Sequence, residues 1–91
     1  MKKQLIEIEV KMFGAFRKYE NSSIKFPMES DSSVEEVKHQ LQNILTQNHP
    51  GFSETQLIAD SAIANEYKVL ANSDRIQAPC KLAILPPVCG G

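Results

Sequence analysis

From Ile6 to Phe13 the chain alternates, with Ile6, Ile8, Val10 and Met12 on one side and Glu7, Glu9 and Lys11 on the other. That period of two predicts a half-buried first strand with its apolar set facing a core. Gly14-Ala15-Phe16-Arg17-Lys18-Tyr19 breaks the alternation and leaves space for one helical turn. Asn21-Ser22-Ser23 is turn chemistry, after which Ile24, Phe26 and Met28 alternate again around Lys25, with Pro27 near the strand's end. A helix is predicted from about Ser33 to Thr46, because Val34, Val37, Leu41, Ile44 and Leu45 recur at three-and-four spacing. Its start carries a capping box, either Ser32 with Glu35 or Ser33 with Glu36, and the two glutamates suit the positive end of the helix dipole. Asn48-His49-Pro50-Gly51 ends it.

Beyond the helix, Leu57 to Ile63 is apolar with small residues, and Asn65-Glu66 offers a hairpin turn before Tyr67, Val69 and Leu70. Asn72-Ser73-Asp74 is a second turn, and Leu82, Ala83, Ile84 and Leu85 form a short apolar last strand. The order strand, strand, helix, strands, last strand places one helix against one face of a mixed sheet. First and last strands can pair in parallel in the sheet centre, since the intervening chain supplies the long crossover that parallel pairing needs. This predicts an α+β, β-grasp, ubiquitin-like fold: a mixed sheet of four to five strands, one main helix on one face, and a projecting C-terminal tail. Residues 1–85 form the domain and 86–91 the extended Gly-Gly tail.

Composition narrows the function. Ninety-one residues make one small module, and 42% hydrophobic with 23% charged residues is ordinary globular usage. A formal net charge of -1 without a basic block gives no electrostatic footprint for nucleic acid. Cys80 and Cys89 are too far apart for a CxxC pair and too few for a disulfide framework, which fits reduced thiols. Glu7 and Glu9 interrupt the N-terminal apolar residues, so no signal-peptide core forms, and no apolar run approaches the roughly 20 residues of a membrane span. The expectation is a soluble, cytoplasmic chain with neither nucleic acid nor membrane as partner.

The chemistry lies in the last residues, Pro86-Pro87-Val88-Cys89-Gly90-Gly91. Two prolines lack the ladder N–H and stiffen an extended exit. Six extended residues reach about 20 Å, enough to thread a partner's pocket. Gly90 and Gly91 carry no side chain, so a narrow channel can admit the backbone and its terminal carboxylate. Such a carboxylate can attack the α-phosphate of ATP and become an acyl adenylate, open to a sulfur, nitrogen or oxygen nucleophile. The chain offers no phosphate-binding glycine loop, paired carboxylates or Cys–His–acid constellation of its own, so activation belongs to another protein.

The ending Leu85-Pro86-Pro87-Val88-Cys89-Gly90-Gly91 resembles that of the molybdopterin synthase small subunit (MoaD) family, and Met12-Phe13-Gly14-Ala15-Phe16-Arg17 resembles that family's segment after the first strand. The Pro-Pro-Val is the discriminating part, since all ubiquitin-like carriers share a terminal Gly-Gly. The resemblance implies a sulfur carrier whose Gly91 carboxylate is adenylated by a ubiquitin-activating-type, MoeB-like enzyme that uses ATP, then converted to a thiocarboxylate. The carrier itself would bind no cofactor. Pro86, Pro87, Val88, Cys89 and Gly90 would thread the large subunit, MoaE-like, and sulfur would pass to cyclic pyranopterin monophosphate. The chain departs from the family before the last strand, where Pro79-Cys80-Lys81 replaces a polar glycine-aspartate turn. Carriers for thiamine, cysteine or thionucleoside synthesis, and ubiquitin-like protein modifiers, are the alternatives.

Phe13 falls opposite Ile6, Ile8, Val10 and Met12, and Leu85 opposite Leu82 and Ile84, so both mark an outer-face patch for a partner. Arg17 either anchors the tail or a partner acid, or is solvated. Cys89 reads as a small exposed side chain beside the reactive end, and Cys80 as a strand residue. His39 and His49 lack a third ligand at metal spacing, so no metal site is expected.

Overall fold

The computed structural model describes residues 4–20, 22–53 and 55–87. Strand β1 (Leu5–Met12) follows the predicted alternation and buries Ile6, Ile8, Val10 and Met12. A 3₁₀ turn (Gly14–Lys18) leads to β2 (Ser23–Glu29), which pairs antiparallel to β1 with Ile8 opposite Phe26 and Val10 opposite Ile24. β2 is an edge strand, which is why Pro27 is tolerated inside it. β3 (Ser32–Ser33) runs into helix α1 (Val34–Asn48), followed by a short helix α2 (Thr55–Asp60). β4 (Ala62–Ala64) and β5 (Val69–Leu70) form a hairpin, and β6 (Arg75–Ile76) precedes β7 (Cys80–Leu85). The main sheet has the order β2-β1-β7-β4-β5, and β3 pairs with β6 in a separate two-stranded sheet.

β1 and β7 are parallel and central, Val10 facing Leu82 and Met12 facing Ile84. Val34, Val37, Leu41 and Leu45 of α1 are fully buried in the core with Ile63 and Ile84 of the sheet. Of the two capping boxes the sequence allows, Ser33 with Glu36 is formed: the Glu36 N–H donates to Ser33 Oγ at 3.1 Å and the Ser33 N–H to Glu36 Oε1 at 3.1 Å. Ser32 is buried and donates instead to the Glu29 carbonyl. Replacing Ser33 by Ala is expected to cost about 1 kcal/mol, read as a fall in melting temperature of roughly 4–8 °C. An unchanged midpoint would mean the cap contributes nothing.

Three stretches differ from expectation. The helix continues to Asn48, two residues past Thr46, because the His49 N–H still donates to the Leu45 carbonyl. Residues 57–60 of the apolar segment 57–63 belong to helix α2, whose buried residue is Ile58, and only the segment's end enters the sheet. β6 is an addition: Asp31, at φ 68°, turns the chain so that Ser32 pairs with Ile76 and its own carbonyl accepts from Arg75. The hairpin turn spans Asn65–Lys68, the Asn65 side chain accepting from both the Tyr67 and Lys68 N–H groups. Among the described residues no helix is long and apolar enough to cross a membrane.

Candidate functional site: the tail root and the outer sheet face

The parallel pairing of β1 with β7 runs with a constant offset, Ile8 facing Cys80 through Met12 facing Ile84. β7 stops at Leu85, immediately before the two prolines that cannot extend its ladder. Carried two residues further, the same offset sets Gly14 against Pro86, and they are in contact. A Cβ on Gly14 would lie 2.6 Å from Pro86 Cγ, and Gly14 holds φ at +58°, the left-handed region that glycine occupies freely. Pro86 is half-buried and Pro87 exposed. Val88, Cys89, Gly90 and Gly91, the predicted reactive end, lie outside the described residues.

The turn carrying Gly14 is held from both ends. Phe16, with no exposed surface, enters the core, and its N–H donates to the Phe13 carbonyl. Downstream, the Tyr19 ring meets Phe52 edge-on at 4.9 Å and His49 at 5.6 Å, while His49 Nε2 stands 3.6 Å from a Glu20 carboxylate oxygen. This ring cluster ties the 3₁₀ turn to the C-terminal end of α1. Arg17 is exposed on the same turn, three residues from Gly14, with no partner among the described residues.

On the face of the sheet opposite α1, Phe13 lies with Lys11, whose Nζ stands 5.4 Å from the ring centroid. Leu85 is half-buried opposite Ala62, and Ala83 faces both Lys11 and Ala64. Val69, paired with Ala64, is 60% exposed. Phe13 and Leu85 are thus on the predicted outer face, joined by Ala62, Ala64 and Val69, which the sequence reading missed. Period-two counting along the short β4 would have found the alanines. A hollow of about 400 Å³ opens between Phe13, Ala64, Asn65 and Ala83, rimmed by Glu9 and Lys81. Away from the tail the same face is charged, with Glu9 accepting from Ser23 Oγ at 2.7 Å.

Cys80 opens β7 as a half-buried strand residue, and burial raises its thiol above the ordinary pKa. Alkylation read at Cys80 by peptide mapping is therefore expected to be slow at neutral pH and to climb roughly tenfold per pH unit through the alkaline range. A rate already level at neutral pH would contradict this.

A five-stranded mixed sheet, a parallel central pair and one main helix define a ubiquitin-like β-grasp domain whose last strand ends beside an apolar outer face. The sequence profile of the ThiS family matches residues 10–91, and the chain belongs to that family, which comprises ThiS/MoaD-type ubiquitin-like sulfur carriers and small modifiers that work with partner enzymes. No curated protein matches the chain. Among solved structures it is similar to small archaeal modifier protein 1 of Haloferax volcanii, at 19% identity over 91% of this chain and 99% of that one, TM-score 0.64. It is also similar to the Haloferax volcanii HVO 2177 protein, at 18% identity over 96% and 88%, TM-score 0.69. The Pyrococcus furiosus "Putative molybdopterin converting factor, subunit 1" shares 17% identity over 91% and 99%, TM-score 0.63. Those likenesses establish the fold.

Proposed function

We propose that this chain is the sulfur carrier subunit of a molybdopterin synthase, acting through Gly91. The observation that carries the reading is the run Pro86-Pro87-Val88-Cys89-Gly90-Gly91 leaving directly from the central strand β7. The likeness to the Pyrococcus furiosus protein supports it. The Gly91 carboxylate oxygen attacks the α-phosphorus of ATP on a MoeB-like partner, and pyrophosphate leaves. A hydrosulfide equivalent then attacks the acyl carbon and displaces AMP, leaving a thiocarboxylate. In a MoaE-like large subunit its sulfur attacks a carbon of cyclic pyranopterin monophosphate and displaces the oxygen that carbon carries, and water then cleaves the acyl–sulfur link, leaving the sulfur on the pterin and restoring the carboxylate. Two loaded carriers supply the two sulfurs of one dithiolene.

Phe13, Leu85 and the alanines between them form the docking face for the large subunit, and Arg17 stands where a partner acid can meet it. In this reading both steps use groups on the partners, and ATP belongs to the activating enzyme. A second reading, a protein modifier joined to lysines through Gly91, is favoured by the likeness to the Haloferax volcanii modifier protein.

Intact mass spectrometry of the protein isolated from cells separates these readings. Replacement of one oxygen by one sulfur, together with molybdopterin formed when the loaded chain meets a large subunit and the pyranopterin precursor, is the expected result. Lysine adducts without a thiocarboxylate would put the modifier in its place, and a loaded chain that yields no molybdopterin would move it to another sulfur pathway.

A further inference from the structure

The contact between Gly14 and Pro86 joins two segments far apart in sequence at the point where the tail leaves the domain. We propose that Gly14 is a positioning residue that aims the tail: its bare backbone forms a seat for the Pro86 ring, and that seat sets the direction in which the chain leaves β7 at Pro86 and Pro87. The proposal rests on the carrier reading for its consequence but not for its geometry.

Three observations converge on the seat. Gly14 is φ-positive, so its conformation alone favours glycine, and independently a Cβ there would come within 2.6 Å of Pro86 Cγ, where ordinary contact begins near 3.4 Å. The seat is rigidly held, since Phe16 anchors its turn in the core and the Tyr19–His49–Phe52 cluster fixes the turn's far end. The ring that occupies it belongs to a residue whose own φ is locked and which cannot hydrogen-bond onward into the sheet. A side chain at position 14 must therefore push the ring aside by roughly 1 Å, and misplacement of that size can cost a reaction about a hundredfold.

Asparagine separates the two reasons for glycine, since it tolerates the left-handed region yet carries a Cβ. In a Cys80→Ser background, a nitroxide on Cys89 marks on the domain's amide signals where the tail dwells. Gly14→Asn is expected to shift that paramagnetic footprint and to lower kcat/KM for adenylation of the unlabelled chain at least tenfold, with a melting temperature close to that of the parent. Placed on Pro86→Ala, which removes the ring, Gly14→Asn is expected to change neither footprint nor kcat/KM further. Additive effects in that background, or a footprint unmoved by Gly14→Asn, would overturn the proposal. Should Gly14→Asn fail to fold, Pro86→Ala alone decides: the footprint broadens if the seat aims the tail, and stays as it was if it does not. A wild-type chain that no activating enzyme adenylates would defeat the carrier reading while the footprint still tested the seat.

Discussion

Deleting Gly91 alone is expected to abolish loading with sulfur and leave unfolding unchanged. The reaction asks a carboxylate to reach a phosphorus held in another protein, and reach is set by the extended backbone at about 3.3–3.6 Å per residue. A chain ending at Gly90 still ends in a carboxylate of the same chemistry, but its nucleophile is short by that whole length. In-line attack loses about a hundredfold for a misplacement of only 1 Å, so the shortened chain is expected to fall below detection. Adding one alanine after Gly91 gives the same loss by the opposite route, because the reacting group becomes an amide carbonyl and the new carboxylate overshoots. The core ends at Ile84 and the last ladder position at Leu85, so neither change touches what holds the domain together. Intact mass after incubation with the activating enzyme and a sulfur source checks loading, and thermal unfolding checks the fold. Sulfur found on the shortened chain would refute the assignment of Gly91.

Much of the fold was legible because its largest elements carry strong periodic patterns. β1 alternates over its whole length, and its buried set is the one the pattern names. The start of α1 was legible from the capping box, although two serines competed and only burial of Ser32 decided between them. Chain order allowed the parallel β1–β7 pair without dictating it, since a parallel pair needs the long crossover that the intervening helix supplies. Elements without their own period were not legible. α2 buries Ile58 alone, and β6 exists because Asp31 adopts a left-handed turn and offers its carbonyl to Arg75, a contact between residues 44 apart in sequence.

The candidate site divides in the same way. Its chemistry is spelled in the final run of residues, and Phe13 and Leu85 could be placed on the outer face by counting in twos. Gly14 was visible only as punctuation, because its meaning depends on a register that fixes Met12 opposite Ile84. Phe16 was likewise assigned no place: one aromatic in a short turn has no period, and only the folded chain shows its ring with no exposed surface.

That burial makes Phe16→Ala the substitution expected to damage the domain most. Removing a buried phenyl ring forfeits its transfer free energy and leaves a cavity, together about 3–5 kcal/mol. A domain of this size holds roughly 5–15 kcal/mol in all, so the variant is expected to lose from about a fifth of its stability to all of it. At about 4–8 °C per kcal/mol the melting temperature falls by at least roughly 12 °C. The loss has a local component as well, because the Phe16 carbonyl accepts from the N–H groups of both Tyr19 and Glu20, and the ring holds that carbonyl in place. Loosening the turn also loosens the Gly14 seat, so adenylation should be impaired even at temperatures where the variant remains folded. Phe16→Leu, which refills most of the cavity, should recover the greater part of both. Urea unfolding followed by circular dichroism gives the first quantity and adenylation at low temperature the second. A cost below about 0.5 kcal/mol, the size of an ordinary surface substitution, would mean that the ring does not anchor the turn.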